Sequence, residues 1–223
     1  AEVEIVGNIS QWRKEQADGS WRVSYRFSHR AKAASIDLPS LYAASRRKPR
    51  TATPKNATTR TTVAALADVQ AGKVGSRGGT PELVDRLQEK RSELESHLKR
   101  VKPTGTVLAE AGDLFEGFES GGNPMFTNDL SLAQQMDLAS TEIYEFVALM
   151  ARFGHVDVMA VPSNHTAWRN GKQNLGRPGD DLGLLCHRQV QKVAEAAGID
   201  ATWHFPPMYD EAVTLDVRGT ILG

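Results

Sequence analysis

Three short apolar runs, each followed at once by polar residues, constrain the fold of this chain more than any other feature. They lie at residues 62–67, 104–111 and 155–161. Each has the length and the β-branched or apolar composition of a buried strand. Longer amphipathic segments separate them. The order strand, helix, strand, helix, strand, helix predicts an α/β fold with parallel neighbouring strands and right-handed crossovers.

Helix signals follow each of these runs. Thr80, Pro81 and Glu82 supply an N-cap, a proline at the first helical position and an acid in the first turn, so a helix is predicted from Thr80 to just before Pro103. Two more helices are predicted at 129–153 and 181–197. Strands are then expected at 199–205 and 212–217, and a last one begins at residue 220.

Polar side chains come directly after the three apolar runs. Asp68 and Gln70 follow the first, Asp113 the second, and Asn164 and His165 the third. Parallel strands place their carboxyl ends at one edge of a sheet, where open α/β folds carry their chemistry. Carboxylate and amide oxygens suit Mn²⁺ and Mg²⁺. The sequence therefore predicts a metal site, with His165 beside it to protonate a leaving oxygen or to contact a phosphoryl oxygen.

Three cations follow His165 in the same loop: Arg169, Lys172 and Arg177. Their positive charge could neutralise phosphate. A single carboxylate can bridge two cations roughly 3.5–4 Å apart, the separation used in phosphoester displacement. Together these residues favour phosphate chemistry at the strand ends.

The N-terminal part has a different character. Residues 1–44 are predicted to form a small β-rich module, with a hairpin turning at Asp18 and Gly19. Trp21, Val23, Tyr25 and Phe27 share one face of the second strand, and arginines share the other. Such a face could stack on nucleic acid. A half-buried strand with a solvated polar face explains the same pattern and is favoured.

Residues 45–60 form a basic linker without an acid or a large apolar residue. Such a segment cannot bury enough surface to offset its ordering entropy. It either tracks a phosphate backbone through counterion release or serves as a solvated tether. The domain proper is expected at 61–223.

Bulk composition excludes some classes of protein. The formal net charge is zero, so the whole molecule is not a polyelectrolyte binder. No apolar run approaches the roughly 20 residues that a membrane span needs. Cys186 is the one cysteine, is predicted to be buried, and suits a reducing compartment. A cytoplasmic protein without a membrane partner is expected.

The three strand ends together resemble a known family. The order Asp68-x-Gln70, Gly112-Asp113-x-x-Glu116 and Ser163-Asn164-His165 is similar to the calcineurin-like metallophosphoesterases. The loop 164–178 further resembles phage-encoded members described as double-strand-break-repair-type nucleases. The resemblance implies a layered β-sandwich flanked by helices, and the cytoplasm of a bacterial host as the location.

The resemblance also implies roles for the residues. Asp113 would bridge two divalent ions, Mn²⁺ first and Mg²⁺, Fe²⁺ or Zn²⁺ as alternatives. Asp68 and Gln70 would complete one site and Asn164 the other. His165 would assist the phosphate and the leaving group while a metal-bound hydroxide attacks phosphorus.

Some positions depart from the family pattern. Gln70 replaces a histidine, Ser163 replaces a glycine, and Thr166 replaces an acid. The family's Gly-His-x-His is absent, so the C-terminal part of the domain is expected to be missing. Of the later histidines, His187 is predicted to be structural, and His204 is the candidate for a late ligand.

The function predicted from these features is metal-dependent hydrolysis of phosphodiester bonds in nucleic acid, DNA rather than RNA. Two alternatives stay open. One is a small-molecule nucleotide phosphodiesterase or diphosphatase, which Gln70 favours. The other is a catalytically degenerate fold that serves as a binding or assembly module. Homo-oligomerisation is also left open.

Overall fold

The computed structural model describes residues 3–31, 60–117, 128–170 and 173–223, and within the first range it describes side chains for residues 9–26. Two compact units are present, Ala1–Ser35 and Ile36–Gly223, and each is considered by itself. The predicted linker lies outside the described residues except for Arg60, and so does Lys172.

The first unit contains an antiparallel hairpin of β1 (Val3–Glu15) and β2 (Trp21–Ala31). Its turn forms where the sequence predicts it. Asp18 Oδ1 accepts hydrogen bonds from the backbone N–H and the hydroxyl of Ser20, at 2.9 and 2.6 Å. Gly19 has a φ of 79°, which favours glycine at this position. The predicted hairpin is therefore confirmed.

A four-stranded parallel sheet organises the second unit. Its order is β3 (Thr61–Leu66), β4 (Gly105–Glu110), β5 (Val156–Ala160) and β8 (Ala201–His204). The connecting helices are α1 (Thr80–Val101), α2 (Leu132–Ala151) and α3 (Leu182–Ala197). Since the strand order follows the chain and crossovers are right-handed, the three helices cover one face of the sheet. The α/β class is thus confirmed.

The helix starts differ from their predicted positions. The N-cap of α1 is Gly79, whose N–H donates to Glu82 Oε2 at 2.9 Å. Thr80 is the first helical residue instead, because Asp129 accepts hydrogen bonds from both its N–H and its hydroxyl. With Asp129 so engaged, α2 begins three residues later than predicted, behind a capping Ser131. The third helix, α3, begins at Leu182, one residue after its predicted start, because Asp181 is its N-cap.

The core lies between the helices and the sheet. Strand residues such as Leu108 and Val158 pack against residues of all three helices. Leu87 and Leu98 of α1 and Leu138 and Phe146 of α2 belong to this cluster. Cys186 is buried as predicted, and burial raises the pKa of its thiol to about 11.

Three short elements complete the second unit. A ribbon of β6 (Arg169–Asn170) and β7 (Gln173–Asn174) follows the third polar loop, and a 3₁₀ turn, Pro178–Asp180, precedes α3. The chain closes with β9 (Leu215–Val217) and β10 (Thr220–Leu222), which pair antiparallel. The Arg218 guanidinium, in the turn of this last ribbon, donates to the Thr104 hydroxyl. Among the described helices, none has an apolar stretch that would reach across a bilayer.

Candidate functional site

The three polar loops after β3, β4 and β5 lie against one another. Asp68 N–H donates to the Gly112 carbonyl at 3.3 Å, and Gln70 N–H donates to the Asp113 carbonyl at 2.8 Å. A Cβ on Gly112 would lie 2.9 Å from Cβ of Ser163, so the second loop touches the third. The predicted convergence of these loops at the carboxyl ends of the strands is therefore observed.

The backbone is strained at three of the predicted ligands. Asp68, Gln70 and Asp113 have φ values of 52°, 46° and 56°. Left-handed backbone costs about 1–3 kcal/mol at a non-glycine residue and concentrates at functional sites. Among the described residues, two other non-glycine positions have positive φ, and both have structural explanations: Lys102 caps the end of α1, and Arg218 lies in the turn between β9 and β10. Asp68, Gln70 and Asp113 lie instead in the two polar loops after β3 and β4, which are joined by backbone hydrogen bonds.

His165 lies between the first and second loops, with its side chain 14% exposed. Its Nδ1 is 3.0 Å from the carbonyl oxygen of Glu116 and 3.3 Å from that residue's Oε2. A carbonyl oxygen only accepts, so Nδ1 carries a proton. Nε2 is then the nitrogen free to exchange a proton, and it lies 4.0 Å from Asp113 Oδ2 and 3.5 Å from Gln70 Nε2.

Lys73 fixes the orientation of the Gln70 amide. Its ammonium donates to Gln70 Oε1 at 2.7 Å. Because an ammonium cannot accept, the amide oxygen must face Lys73, and the amide nitrogen must face His165. The oxygen that was predicted to ligate a metal is thus engaged by a cation. To act as a ligand, this amide would have to exchange Lys73 for the metal ion.

Asp113 opens into a cavity of about 450 Å³ at the strand ends. Its side chain is 20% exposed, and its Oδ1 accepts from the His165 backbone N–H at 3.4 Å. Asn164 lines the same cavity. Asp68 lies beside Gly112 through its backbone, and its side chain is exposed. The structure gives no direct contact between the Asp68 and Asp113 carboxylates.

Two of the predicted phosphate-binding cations line this cavity as well, Arg169 and Arg177. Arg169 donates from Nε to Asn174 at 2.7 Å and from a terminal nitrogen to the Asn164 carbonyl at 3.3 Å. The Arg177 guanidinium lies 5.2 Å from the centre of the Tyr209 ring. The indole of Trp168 also lines the cavity and is 53% exposed.

A buried carboxylate that the sequence reasoning did not assign to the site anchors the third loop. Asp181 Oδ2 accepts from the Thr166 hydroxyl at 2.6 Å and from the Ser163 N–H at 3.2 Å, while Oδ1 caps α3. Burial raises the pKa of this carboxyl, although the hydrogen bonds oppose the shift. Thr166 stands where the metallophosphoesterases that the sequence resembles have an acid, and this difference was visible in the sequence.

Lys73 and Glu116 were also not assigned to the site. Glu116 is buried, and its Oε2 lies 3.8 Å from Lys73 Nζ. Its place in the Gly-Asp-x-x-Glu pattern was visible in the sequence, but its contacts with His165 were not. These two residues extend the cluster around His165 beyond the predicted set.

The two late histidines lie elsewhere. His187 is fully buried with Nε2 3.3 Å from Glu110 Oε2, in agreement with its predicted structural role. Glu110 in turn accepts from the Gly112 N–H at 2.8 Å and so supports the second loop. His204 Nε2 is 2.8 Å from Asp157 Oδ1 on the neighbouring strand. His204 is therefore engaged by Asp157 rather than by a residue of the three loops.

The donor set at the strand ends fits a hard divalent ion by its chemistry, since it offers two carboxylates and two side-chain amides. In the described part of the chain, no three side chains of His, Cys, Asp or Glu are grouped so as to hold a metal ion. The amides of Gln70 and Asn164 would thus be needed as ligands. Comparison of the chain with protein-family models, with curated proteins and with solved structures gives no match.

Proposed function

We propose that this chain is a metal-dependent phosphodiester hydrolase that acts on nucleic acid. The observation that carries the proposal is the strained backbone at Asp68, Gln70 and Asp113, in loops that converge on His165. Strain of this kind persists only where the surrounding structure enforces it. Here it holds oxygen donors and one imidazole at the carboxyl edge of a parallel sheet, where α/β folds bind ligands.

Divalent ions would be held by Asp68, Gln70, Asp113 and Asn164. The family resemblance implies two ions, and Mn²⁺ is the preferred metal. A bound ion would neutralise phosphate charge and lower the pKa of a water nucleophile. Asp113 is the best placed of the four, because it lies in the cavity and beside His165.

In this proposal, His165 is the residue that transfers the proton. Its Nδ1–H is held by the Glu116 carbonyl, so the ring orientation is fixed and Nε2 exchanges the proton. In the neutral ring, Nε2 accepts from the Gln70 amide. Once protonated, Nε2 is a donor, so it no longer accepts from the Gln70 N–H and needs an acceptor in its place. The leaving oxygen of a phosphate held beside Asp113, which lies 4.0 Å from Nε2, would serve as that acceptor, so His165 would act as a general acid.

The cavity favours a nucleic-acid substrate. Arg169 and Arg177 bring two positive charges to its wall, and the exposed Trp168 offers a flat surface on which a base can stack. A simple phosphate group would need the cations but not the indole. We favour DNA over RNA from the resemblance to double-strand-break-repair-type nucleases alone.

The proposal includes the finer fold assignment, a metallophosphoesterase-type sandwich, together with a cytoplasmic location. Support for the sandwich comes from the β9–β10 ribbon, which contacts Thr104 through Arg218 and could begin a second sheet. The location rests on the single, buried cysteine, which suits a reducing compartment.

Hydrolysis of bis(p-nitrophenyl) phosphate and of single-stranded DNA with Mn²⁺ tests the proposal. Asp113→Asn should abolish turnover, because it removes the central carboxylate charge. His165→Ala should lower turnover by about 10²–10⁴-fold and leave Mn²⁺ bound. His204→Ala is the matched control, since His204 contacts Asp157 and should be dispensable. Wild-type activity in both site variants would refute the assignment.

A small-molecule phosphodiesterase is a second candidate, favoured by the size of the cavity. Its volume of about 450 Å³ lies in the usual range for small-ligand pockets. The steepness of the salt dependence distinguishes the two, because binding of a polymer releases many counterions. A nucleic-acid hydrolase should lose affinity steeply with added salt, whereas turnover of a mononucleotide should change little.

The binding-module alternative is favoured by the Lys73–Gln70 contact, which occupies one proposed metal ligand. Titration with Mn²⁺ tests it. An enzyme should bind Mn²⁺ and lose that binding in Asp113→Asn, whereas a degenerate fold should bind none above background.

A further inference from the structure

Within residues 9–26, the β1–β2 hairpin exposes side chains on both of its faces. Every side chain from residue 9 to residue 26 is exposed, including Trp12 at 51% and Trp21 at 61%. An isolated two-stranded hairpin is marginally stable in water, and large exposed apolar side chains add to the cost of leaving it bare. The chemistry of its two faces therefore indicates what they bind.

The strand register separates the two faces clearly. The pairs Ser10–Arg26, Trp12–Ser24 and Lys14–Arg22 lie on one side, which we call the basic face. The pairs Gln11–Tyr25, Arg13–Val23 and Glu15–Trp21 lie on the other, which we call the apolar face. The faces differ in charge: the basic face has three cations and no acid, whereas the apolar face pairs one cation with one acid.

The arrangement of charge on the basic face is unfavourable without a partner. Lys14 and Arg22 stand directly opposite each other, and like charges in that position destabilise a pair of strands. Neither Lys14 nor Arg22 has a carboxylate as its cross-strand partner, and the partner of Arg26 is Ser10. A polyanion would relieve this repulsion and gain from counterion release.

Trp12 occupies the middle of the basic face. The Lys14–Arg22 pair lies two residues to one side of it, and Arg26 lies two residues to the other. Arg22 and Arg26 are four strand positions apart, which is about 13 Å at about 3.3 Å per residue. An exposed indole flanked by cations is the combination that binds an unpaired base together with its neighbouring phosphates.

We propose that the basic face binds single-stranded nucleic acid, with a base stacked on Trp12 and phosphates held by Lys14, Arg22 and Arg26. A duplex fits less well, because its base faces are covered by their neighbours in the stack. The inference goes beyond the proposed hydrolase, since this binding requires neither a metal ion nor His165.

Fluorescence anisotropy with a labelled oligo(dT) of about 15 nucleotides tests the inference, using the full chain in EDTA so that hydrolysis cannot occur. Binding should be present in the wild type. The triple variant Lys14→Gln, Arg22→Gln, Arg26→Gln should reduce the magnitude of the slope of log affinity against log salt by about 2, because each of the three lost phosphate contacts contributes roughly 0.7. Trp12→Ala should weaken binding about tenfold, in line with the loss of one stacked base.

The apolar face supplies matched controls. Arg13→Gln and Trp21→Ala change the same residue types on the same two strands, and they should leave binding within about twofold of wild type. Unfolding of the hairpin would affect variants of both faces, so an equal loss in both sets overturns the proposal. Tighter binding to duplex than to oligo(dT), or binding only to anionic lipid vesicles, also overturns it. Because the assay contains no free metal ion, its result does not depend on whether the chain hydrolyses phosphodiesters.

Discussion

The ion pair between α1 and α2 offers a prediction about stability that does not depend on function. Arg91 on α1 pairs with Glu142 on α2, and their side chains are 16% and 3% exposed. The Arg91 guanidinium also lies 5.7 Å from the centre of the Phe146 ring. Arg91→Met keeps most of the packing of the long side chain and removes the charge. Glu142 is then left buried without its partner.

The expected cost is large. Breaking a buried pair by removing one partner typically destabilises a protein by about 3–5 kcal/mol. For a unit of this size, that corresponds to a fall in Tm of roughly 6–20 °C. Burial already raises the pKa of the Glu142 carboxyl, and Arg91 is the group that opposes the rise. The variant's deficit should therefore be greatest at neutral pH.

The sign of the pH dependence follows from that raised pKa. A carboxyl whose pKa is higher in the folded state binds its proton more tightly there, so its contribution is most favourable below the usual pKa of glutamate. Stability is lost as the pH rises through the folded pKa. The deficit of Arg91→Met should thus shrink as the pH falls from 7.5 towards 5, and adding Glu142→Gln should restore more than half of it at pH 7.5.

Lys90→Met provides the control for this variant. Lys90 is the preceding residue on α1, and its pair with Glu93 is exposed on both sides. Denaturant unfolding, followed by circular dichroism, compares the wild type with the three variants. Lys90→Met should leave the midpoint unchanged. The reasoning fails if Arg91→Met costs no more than Lys90→Met, or if its deficit does not depend on pH.

Two further predictions concern the site. Gly117→Ala should lower Tm by roughly 2–8 °C and impair Mn²⁺-dependent hydrolysis. The reason is that Gly117 has a φ of 65° and that a Cβ there would lie 2.7 Å from the His165 carbonyl oxygen. Gly105→Ala is the control: a Cβ there has nothing within 4 Å, so neither Tm nor hydrolysis should change. Lys73→Met should increase Mn²⁺ affinity several-fold by calorimetry, since it removes a cation and frees Gln70 Oε1; unchanged or weaker binding would argue against Gln70 as a ligand.

The sheet and its edge were predictable from local patterns. Apolar runs of strand length, separated by amphipathic helices, require parallel pairing, and parallel pairing brings Asp68, Asp113 and Asn164 to one edge. The caps of α3 were predictable for the same kind of reason, because Asp181 and Gly198 act within one helical turn. These features depend on neighbours in sequence or on chain topology alone.

Other features depend on contacts between distant residues. The N-cap of α1 is Gly79 rather than the predicted Thr80, because Thr80 donates hydrogen bonds to Asp129, 49 residues away. The orientation of the Gln70 amide depends on where Lys73 points, and the tautomer of His165 depends on the Glu116 carbonyl. The spacing of residues along the sequence does not predict these contacts. For the same reason, the sequence could not show that Trp12 would lie between cations contributed by two strands.

In the proposed site, Asp113 and its neighbouring loops would hold a divalent ion beside His165. Anomalous scattering from crystals soaked in Mn²⁺ tests it most directly. The account predicts a peak within coordination distance of Asp113, with Asp68, Gln70 or Asn164 completing the ligand set, and loss of that peak in Asp113→Asn. A map with no peak at the strand ends, or with Mn²⁺ bound instead near His155, Asp157 and His204, would contradict it.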